Sequence, residues 1–431
     1  METIKEQVLK QKKQKGTTLL VAIISLIVLL LMMRDVGGIG VINKYVFIVI
    51  IAVAVFAVPI NQTVSLLAFV MPLYVGLPGN YITLIFIARI LLNYNRLKIK
   101  ASNLIFCTLA GVFILVQSLL TEHMAVQELM LFPGMILMML MFSLDGKSKK
   151  SELILSYATG VATLGLVMLL GTLRVHELSD LLNDGFRLGD ETSAYVASGN
   201  MNISIDPNFY SFFAISSVCL SVDSLGEGIW KKSRYCKIIL MIEMVISVVV
   251  SLIGLSRTFI VMFFMWAILY IVSESSLKSI VKASCAGAVG IFLVFQFMPD
   301  VINSIFQRFN SSDMATGNGR FDVIFSYYES WSETIGRLLF GIGIFECEVH
   351  CAPLQLLFGG GLVISLLYAG FIVTLTRKKS ESASIKALIP LIIVFITSAT
   401  LPAFWSVNYM FPIFITFYFY SSKRGINIFE V

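Results

Sequence analysis

The chain is 431 residues long, 57% hydrophobic and only 13% charged, with a formal net charge of +6. A soluble domain carries about a quarter charged residues; here the charges sit in short clusters between long apolar runs, which excludes a water-soluble globular protein. The positive balance follows those clusters instead of forming one basic face, so it argues for membrane topology and against a nucleic-acid partner.

The N-terminus, METIKEQVLKQKKQKG, is basic, and an apolar run follows from Thr17 to Met33. That run ends at Arg34-Asp35 without a small-residue cleavage site, so it reads as a retained first span and not a cleaved signal peptide. Lipid offers backbone groups no hydrogen-bond partner, so spanning segments must be helices. Each needs roughly 20 apolar residues, fewer where short. The sequence therefore predicts an all-α polytopic integral membrane protein with about fourteen transmembrane helices. They centre on 17–33, 45–60, 63–78, 81–95, 102–120, 129–143, 151–173, 208–223, 238–254, 258–273, 281–298, 352–375, 385–401 and 404–420. Only Pro59-Ile60-Asn61 and Pro78-Gly79-Asn80 separate the second to fourth. The expected organisation is a basic cytoplasmic tail (1–16), spans one to eleven (17–298) with an outer loop at 174–207, a large extracytoplasmic loop (299–351), three last spans (352–420) and a tail (421–431).

Basic clusters test the topology. With the N-terminus inside, the inner connections hold Arg96, Lys98 and Lys100; Lys147, Lys149 and Lys150; Lys231, Lys232, Arg234 and Lys237; Lys278 and Lys282; Arg377, Lys378 and Lys379; and Lys423 and Arg424. All agree with the positive-inside rule, which places both termini in the cytoplasm. Every lysine but Lys44 falls on that side. The outer segments instead carry Arg34, Arg174, Arg187, Arg257, Arg308, Arg320 and Arg337. Guanidinium forks match phosphate geometry, so this bias fits selected anion contacts; depletion of outer lysines during membrane insertion accounts for it equally well.

Two outer loops are long enough to be functional. The second contains GNGRFDVIFSYYESWSETIGRLLFGIGIF, whose apolar and aromatic content predicts a helix around Phe321–Trp331, started near Asn318 and Gly319 and lying along the membrane surface. Asp206-Pro207-Asn208, at the end of the first, reads as a cap for the following span. Within the spans, Arg89 and Glu243 are the main charges.

Three motif-like stretches fail as cofactor or metal motifs. Cys347-Glu348-Val349-His350-Cys351 reverses the last two residues of a haem attachment box. With Glu346 it offers four zinc ligands only in a very tight turn. A Cys347–Cys351 disulfide stays open on an oxidising face. Asp145-Gly146-Lys147-Ser148 lacks the first glycine of a phosphate loop, and Gly341-Ile342-Gly343 lacks the third glycine and the βαβ unit of a dinucleotide site. No Asp-x-Asp pair is present to hold a nucleotide-sugar metal. The reading is thus without cofactor or metal, and against a cytoplasmic nucleotide-driven enzyme.

Three outer elements remain: Leu255-Ser256-Arg257-Thr258, Gly317-Asn318-Gly319-Arg320-Phe321-Asp322, and His350 before the span running through Gly359-Gly360-Gly361. On these the chain resembles the Wzy-type bacterial polysaccharide polymerases and the related O-antigen ligases. Family-like features are Ser256-Arg257 at an outer helix end, Gly319-Arg320 opening a loop helix, and Phe340-Gly341-Ile342-Gly343. The ligase pattern of His, then Asn, Ser or Gln, nine residues and Gly-x-x-Gly is matched at His350 and Gly361, whereas Cys351 and Ile364 depart from it.

The resemblance implies a GT-C-like polymerase or ligase architecture in a bacterial cytoplasmic membrane. Its substrate would be an oligosaccharide repeat unit on undecaprenyl diphosphate, and its partners the bilayer, a flippase and a chain-length regulator. An acceptor hydroxyl would attack the anomeric carbon and expel the diphosphate. Arg257 and Arg320 are then first choices to stabilise the leaving group, with Arg308, Arg174 and Arg187 behind them. His350 is the candidate general base, or else orients substrate or caps the helix. Tyr327, Tyr328 and Trp331 would stack on sugars or form an interfacial aromatic belt. A ligase and a lipid-linked oligosaccharide flippase are the alternatives; a flippase calls for a polar cavity lined by intramembrane charge.

Overall fold

The computed structural model describes residues 2–120, 126–144, 149–174, 176–177, 188, 206–226, 229–230, 233–254, 256–273, 281, 296, 299, 303, 319–344, 346–376, 385–401 and 407–423. Among these the chain is helical without a named strand; one isolated antiparallel bridge joins Leu97 and Leu144. In chain order the helices are α1 (Glu2–Leu31), α2 (Lys44–Ala57), α3 (Ile60–Val70), α4 (Gly79–Leu91), α5 (Ala101–Leu120), α6 (Val126–Ser143), α7 (Lys150–Thr172) and α8 (Pro207–Gly226). They continue with α9 (Arg234–Ile253), α10 (Arg257–Ser273), α11 (Arg320–Ser332), α12 (Ile335–Phe340), α13 (Ala352–Thr376), α14 (Ile385–Ser398) and α15 (Val407–Lys423).

Five segments are long and apolar enough to cross a membrane: Gly16–Val36, Lys150–Thr172, Pro207–Gly226, Arg234–Ile253 and Ala352–Leu375. Shorter apolar helices accompany them, and together they stand at every expected span except the eleventh, 281–298, most of which lies outside the described residues. They mark the chain as an integral membrane protein. Some boundaries differ from expectation. The basic stretch expected as a tail is helical and continuous with the first apolar run in α1. The third segment starts at Ile60, directly after Pro59, and closes in a 3-10 turn at Met71–Gly76. Pro72 sits in that turn and donates no backbone hydrogen bond, which favours a tightened helix end.

Antiparallel packing gives the bundle two ends. At one, Thr17 Oγ1 donates to Glu152 (3.0 Å), Gln62 donates to Thr17, and Lys149 bonds Glu152 (2.7 Å). At the other, Arg34 makes a buried two-pronged contact with Asp35 (2.8 Å for each bond), donates to Gly76 O and lies over the Phe47 ring. Helix α7 runs between these ends through the main core and packs against α3, α8 and α9. Phe69, Tyr157, Phe212, Phe213 and Phe411 are fully buried there. Arg89 sits at the last turn of α4 and donates to Val58 O, the carbonyl that follows α2. Glu243 is buried and accepts from Thr159 (2.6 Å).

A second, smaller core lies beside the bundle. Trp331, Cys347, Val349 and Phe358 are its buried members, with Ile324, Tyr327, Ile342 and Leu357 packed on them. It welds α11, α12 and the segment 341–351 to the first turns of α13. One face of α11 is thereby covered, while Phe321, Val323, Phe325 and Tyr328 stay exposed, as a helix lying on a membrane surface requires.

Helix α13 is not one rod. Gly361 has φ 72° and ψ 176°, so residues 352–360 form a half-helix that ends inside the bundle. The carbonyls freed there find partners from outside the helix. Ile342 N–H donates to Phe358 O (3.0 Å) and Gly343 N–H to Gly359 O (2.9 Å). Gln117 Nε2, from α5, donates to both Gly359 O and Phe340 O at 2.6 Å. Ser365 Oγ reaches back across the break to Leu356 O (3.1 Å). Gly341 also has positive φ, 78°, and a methyl group on it would meet Gly359 O at 2.1 Å. Unmet carbonyls at this depth cost several kcal/mol each, so this docking is mandatory wherever the helix breaks.

Gly341→Ala should therefore destabilise the protein by about 1–3 kcal/mol or more through backbone strain and collision, seen as a lower Tm in detergent. Gly336→Ala, which meets nothing closer than 3.9 Å, should stay within about 0.5 kcal/mol of wild type.

Candidate functional site

Three connections meet at the bundle end away from Glu152. Asp206 precedes α8 and its Oδ1 accepts Asn208 N–H (2.7 Å), with Pro207 opening the helix; the expected cap is formed. Ser256 caps α10 in the same way, accepting Phe259 N–H (3.3 Å). Its buried hydroxyl also donates to Asn208 Oδ1 (3.1 Å), tying the two helix starts together. Arg257, half-buried, is thus carried at the first position of α10 beside the Asp206 turn. On the same flank Tyr409 of α15 stacks on Phe209 at 4.0 Å between ring centroids.

The third connection brings His350. Gln355 donates to Ile344 O (3.3 Å) and Cys347 N–H to Gly343 O (3.2 Å), so the loop between the broken helix and the Gly341–Gly343 dock is short and held at both sides. His350 stands exposed on that loop, two residues before α13. Partial desolvation by neighbouring groups lowers its imidazole from the usual histidine value, and the Arg320 guanidinium pushes the same way; Asp206 and Glu348 oppose them. The fields of Arg320 and Asp206 thus act on the imidazole in opposite senses.

Arg320 is the first residue of α11, after Gly319, which supplies no side-chain cap. The observed start agrees with the expected one to a residue; Asn318 lies outside the described residues, as do Arg308 and Arg187. Arg174 is exposed, with its guanidinium against the Gly38 backbone between α1 and α2. Arg337 bonds to Glu333 and Ser330 and so serves the α11–α12 turn. Trp331 is buried between Tyr328 and Phe358, 5.3 Å from the latter, and holds α11 on the half-helix. Tyr328 is half exposed beside it, and Tyr327 faces a cavity.

Cys347 and Cys351 are free thiols, so the disulfide left open from sequence is not formed. Burial pushes Cys347 up to about 11 and raises Cys351 as well; neither offers a thiolate nucleophile near neutral pH. No cluster of three metal-ligating side chains occurs among the described residues.

Two cavities adjoin these elements. One, of about 450 Å³, lies between the starts of α4, α6 and α15 and takes its polar atoms from Tyr74, Asn80, Tyr81, Thr83 and Tyr409. The other, of about 500 Å³, lies between α5, α11, α12 and the broken helix, with Gln117, Tyr327, Arg337 and Glu346 among apolar walls. Neither Arg89 nor Glu243 is among the described residues lining either cavity. No protein-family model, curated protein or solved structure matches this chain.

The sequence reading missed three residues. Asp206 was expected as a cap, not as a charge facing His350. Gln117 is an amide inside an apolar helix, the usual mark of a functional position in a span, and that signal was readable. Tyr409 had no sequence signal, since its place follows only from the packing of α15 on α8.

The opposed fields give a signed test. In a variant whose other two histidines are replaced, Arg320→Gln should raise the His350 titration midpoint and Asp206→Asn should lower it, followed by NMR of ¹³C-labelled histidine in micelles. No movement in either variant would separate these groups.

Proposed function

We propose that this protein polymerises polyprenyl-diphosphate-linked oligosaccharide repeat units at the outer face of a bacterial cytoplasmic membrane, as a multi-pass, metal-independent glycosyltransferase of about fourteen spans. The observation that carries the reading is the Ser256–Asn208 bond that ties the Arg257 turn to the Asp206 cap, with the fields of Arg320 and Asp206 both acting on His350. It is supported by the resemblance to the Wzy-type polymerases at Ser256-Arg257 and Gly319-Arg320, and to the related ligases at His350.

In this mechanism an acceptor hydroxyl oxygen forms the new bond to the anomeric carbon of the donor sugar. The bond from that carbon to the diphosphate oxygen breaks, and its electron pair leaves with polyprenyl diphosphate. Charge accumulates on the leaving group, where fixed guanidinium groups act most strongly in a water-poor site. Arg320 and Arg257 take that role, with Arg174, Arg187 and Arg308 as further candidates for diphosphate contacts. His350 accepts the hydroxyl proton; a midpoint held below the usual range keeps the imidazole unprotonated and ready. Asp206 steadies the imidazolium once formed. Tyr327 and Tyr328 are the aromatic candidates for sugar contact on α11.

A flippase would move a charged headgroup through intramembrane polar lining, and the two intramembrane charges read from the sequence make fold contacts away from both cavities: Arg89 donates to Val58 O after α2 and Glu243 accepts from Thr159. A ligase would use the same chemistry on a different acceptor. In a strain lacking the gene, a polymerase predicts single repeat units accumulating on the carrier at the outer face; a ligase predicts normal polymer detached from its final acceptor, and a flippase predicts retention on the inner face.

Arg320→Ala and Arg320→Lys should both insert normally and lower polymer output by about 10²-fold or more, since a lysine cannot reproduce a guanidinium fork. Wild-type polymer from Arg320→Lys would contradict the diphosphate role, and full activity in His350→Gln would remove the base.

A further inference from the structure

We propose that the cavity of about 450 Å³ between α4, α6 and α15 is the subsite for the acceptor sugar, a neutral polyhydroxylated ligand. The inference rests on the glycosyl-transfer reading and assigns one of its two substrates to a place.

The chemistry of the lining selects the ligand class. No described lining residue carries a charge. The polar atoms are four hydroxyls, from Tyr74, Tyr81, Thr83 and Tyr409, and the Asn80 amide; Leu77, Val407 and Leu131 supply apolar surface. An anionic headgroup would be desolvated there without a cation to compensate. A sugar needs what is present: hydroxyls and an amide that both donate and accept, and aromatic faces for its C–H surface. Small-molecule sites occupy ~300–1,000 Å³, and this cavity falls within that range.

The lining is also built, and not merely exposed. Tyr74 and Thr83 are buried to 8% and 1% exposure, and the buried Tyr74 hydroxyl has no hydrogen-bond partner among the described residues. Tyr409 is fixed by its stack on Phe209. Polar side chains placed deep in an apolar bundle are costly and are kept where they serve a ligand or a fold contact. The turn Leu77-Pro78-Gly79-Asn80 forms one rim of the cavity.

Position completes the argument. Tyr409 stacks on Phe209, in the first turn of the helix that Asp206 caps, so the cavity adjoins one of the helix starts of the candidate site. The larger cavity differs in chemistry, for Arg337 and Glu346 enter its lining with Phe113, Val116 and Ile364. That wall suits an amphiphile better than a sugar.

Asn80 and Tyr81 are both exposed, so Asn80→Ala and Tyr81→Ala test the site without threatening the core. The probe is the water-soluble oligosaccharide that mild acid releases from the host cell's own lipid-linked repeat-unit pool. Its binding to full-length protein in nanodiscs is followed by saturation-transfer NMR and calorimetry. Each variant should weaken binding by about tenfold, while Arg320→Ala binds as wild type does. In turnover assays the same variants should raise the acceptor KM and leave kcat at saturating acceptor unchanged. Wild-type affinity in both cavity variants, or no binding by wild type, overturns the assignment. Oligosaccharide binding lost in the variants while wild type releases no polyprenyl diphosphate overturns the polymerase reading and leaves the sugar site standing.

Discussion

The structure depends on how one broken helix satisfies its backbone. Where α13 stops at Gly361, its carbonyls would otherwise face an apolar bundle, and the nearest donors belong to a different part of the chain. Ile342, Gly343 and the Gln117 amide supply them. The segment 341–343 is therefore anchored to the bundle by the same bonds that make the break tolerable. Everything attached to it follows: α12 and α11 upstream through the Trp331–Phe358 contact, and the His350 loop downstream through Gln355.

That anchoring is what allows chemistry at the bundle end to be positioned by rigid elements. Arg320 opens a helix whose far end is packed in the small core, and His350 sits on a loop pinned at both sides. Asp206 and Ser256 are helix caps, so their side chains are held by the backbone amides they accept from. The charges acting on His350 thus come from two helix starts, those of Asp206 and Arg320, and from Glu348 on its own short loop. Such an arrangement favours the neutral imidazole while the carboxylates of Asp206 and Glu348 act in the opposite sense.

Much of this was legible in the sequence because lipid leaves few options. Apolar run length with Pro and Gly punctuation placed the helices, and the helix expected at Phe321–Trp331 is found at Arg320–Ser332. The Asp206 cap was readable from Asp-Pro-Asn. The break at Gly361 was not, because hydropathy is indifferent to φ and a Gly-Gly-Gly run reads as a weak but continuous span. The 3-10 closure at Met71–Gly76 escaped for the same reason. The fields of Asp206 and Arg320 at His350 join positions far apart in the chain, and only packing reveals them. The Arg187 and Arg308 expectations lie outside the described residues and rest on the sequence alone.

The account's central claim is glycosyl transfer driven by loss of a lipid diphosphate at this site. Purified protein in nanodiscs, supplied only with the lipid-linked repeat unit, tests it by counting polyprenyl diphosphate against glycosidic bonds formed. The account predicts one diphosphate released per bond, without nucleotide and in the presence of a chelator. Polymer absent under these conditions while the repeat unit stays intact, or bond formation that requires a nucleotide sugar, would contradict it.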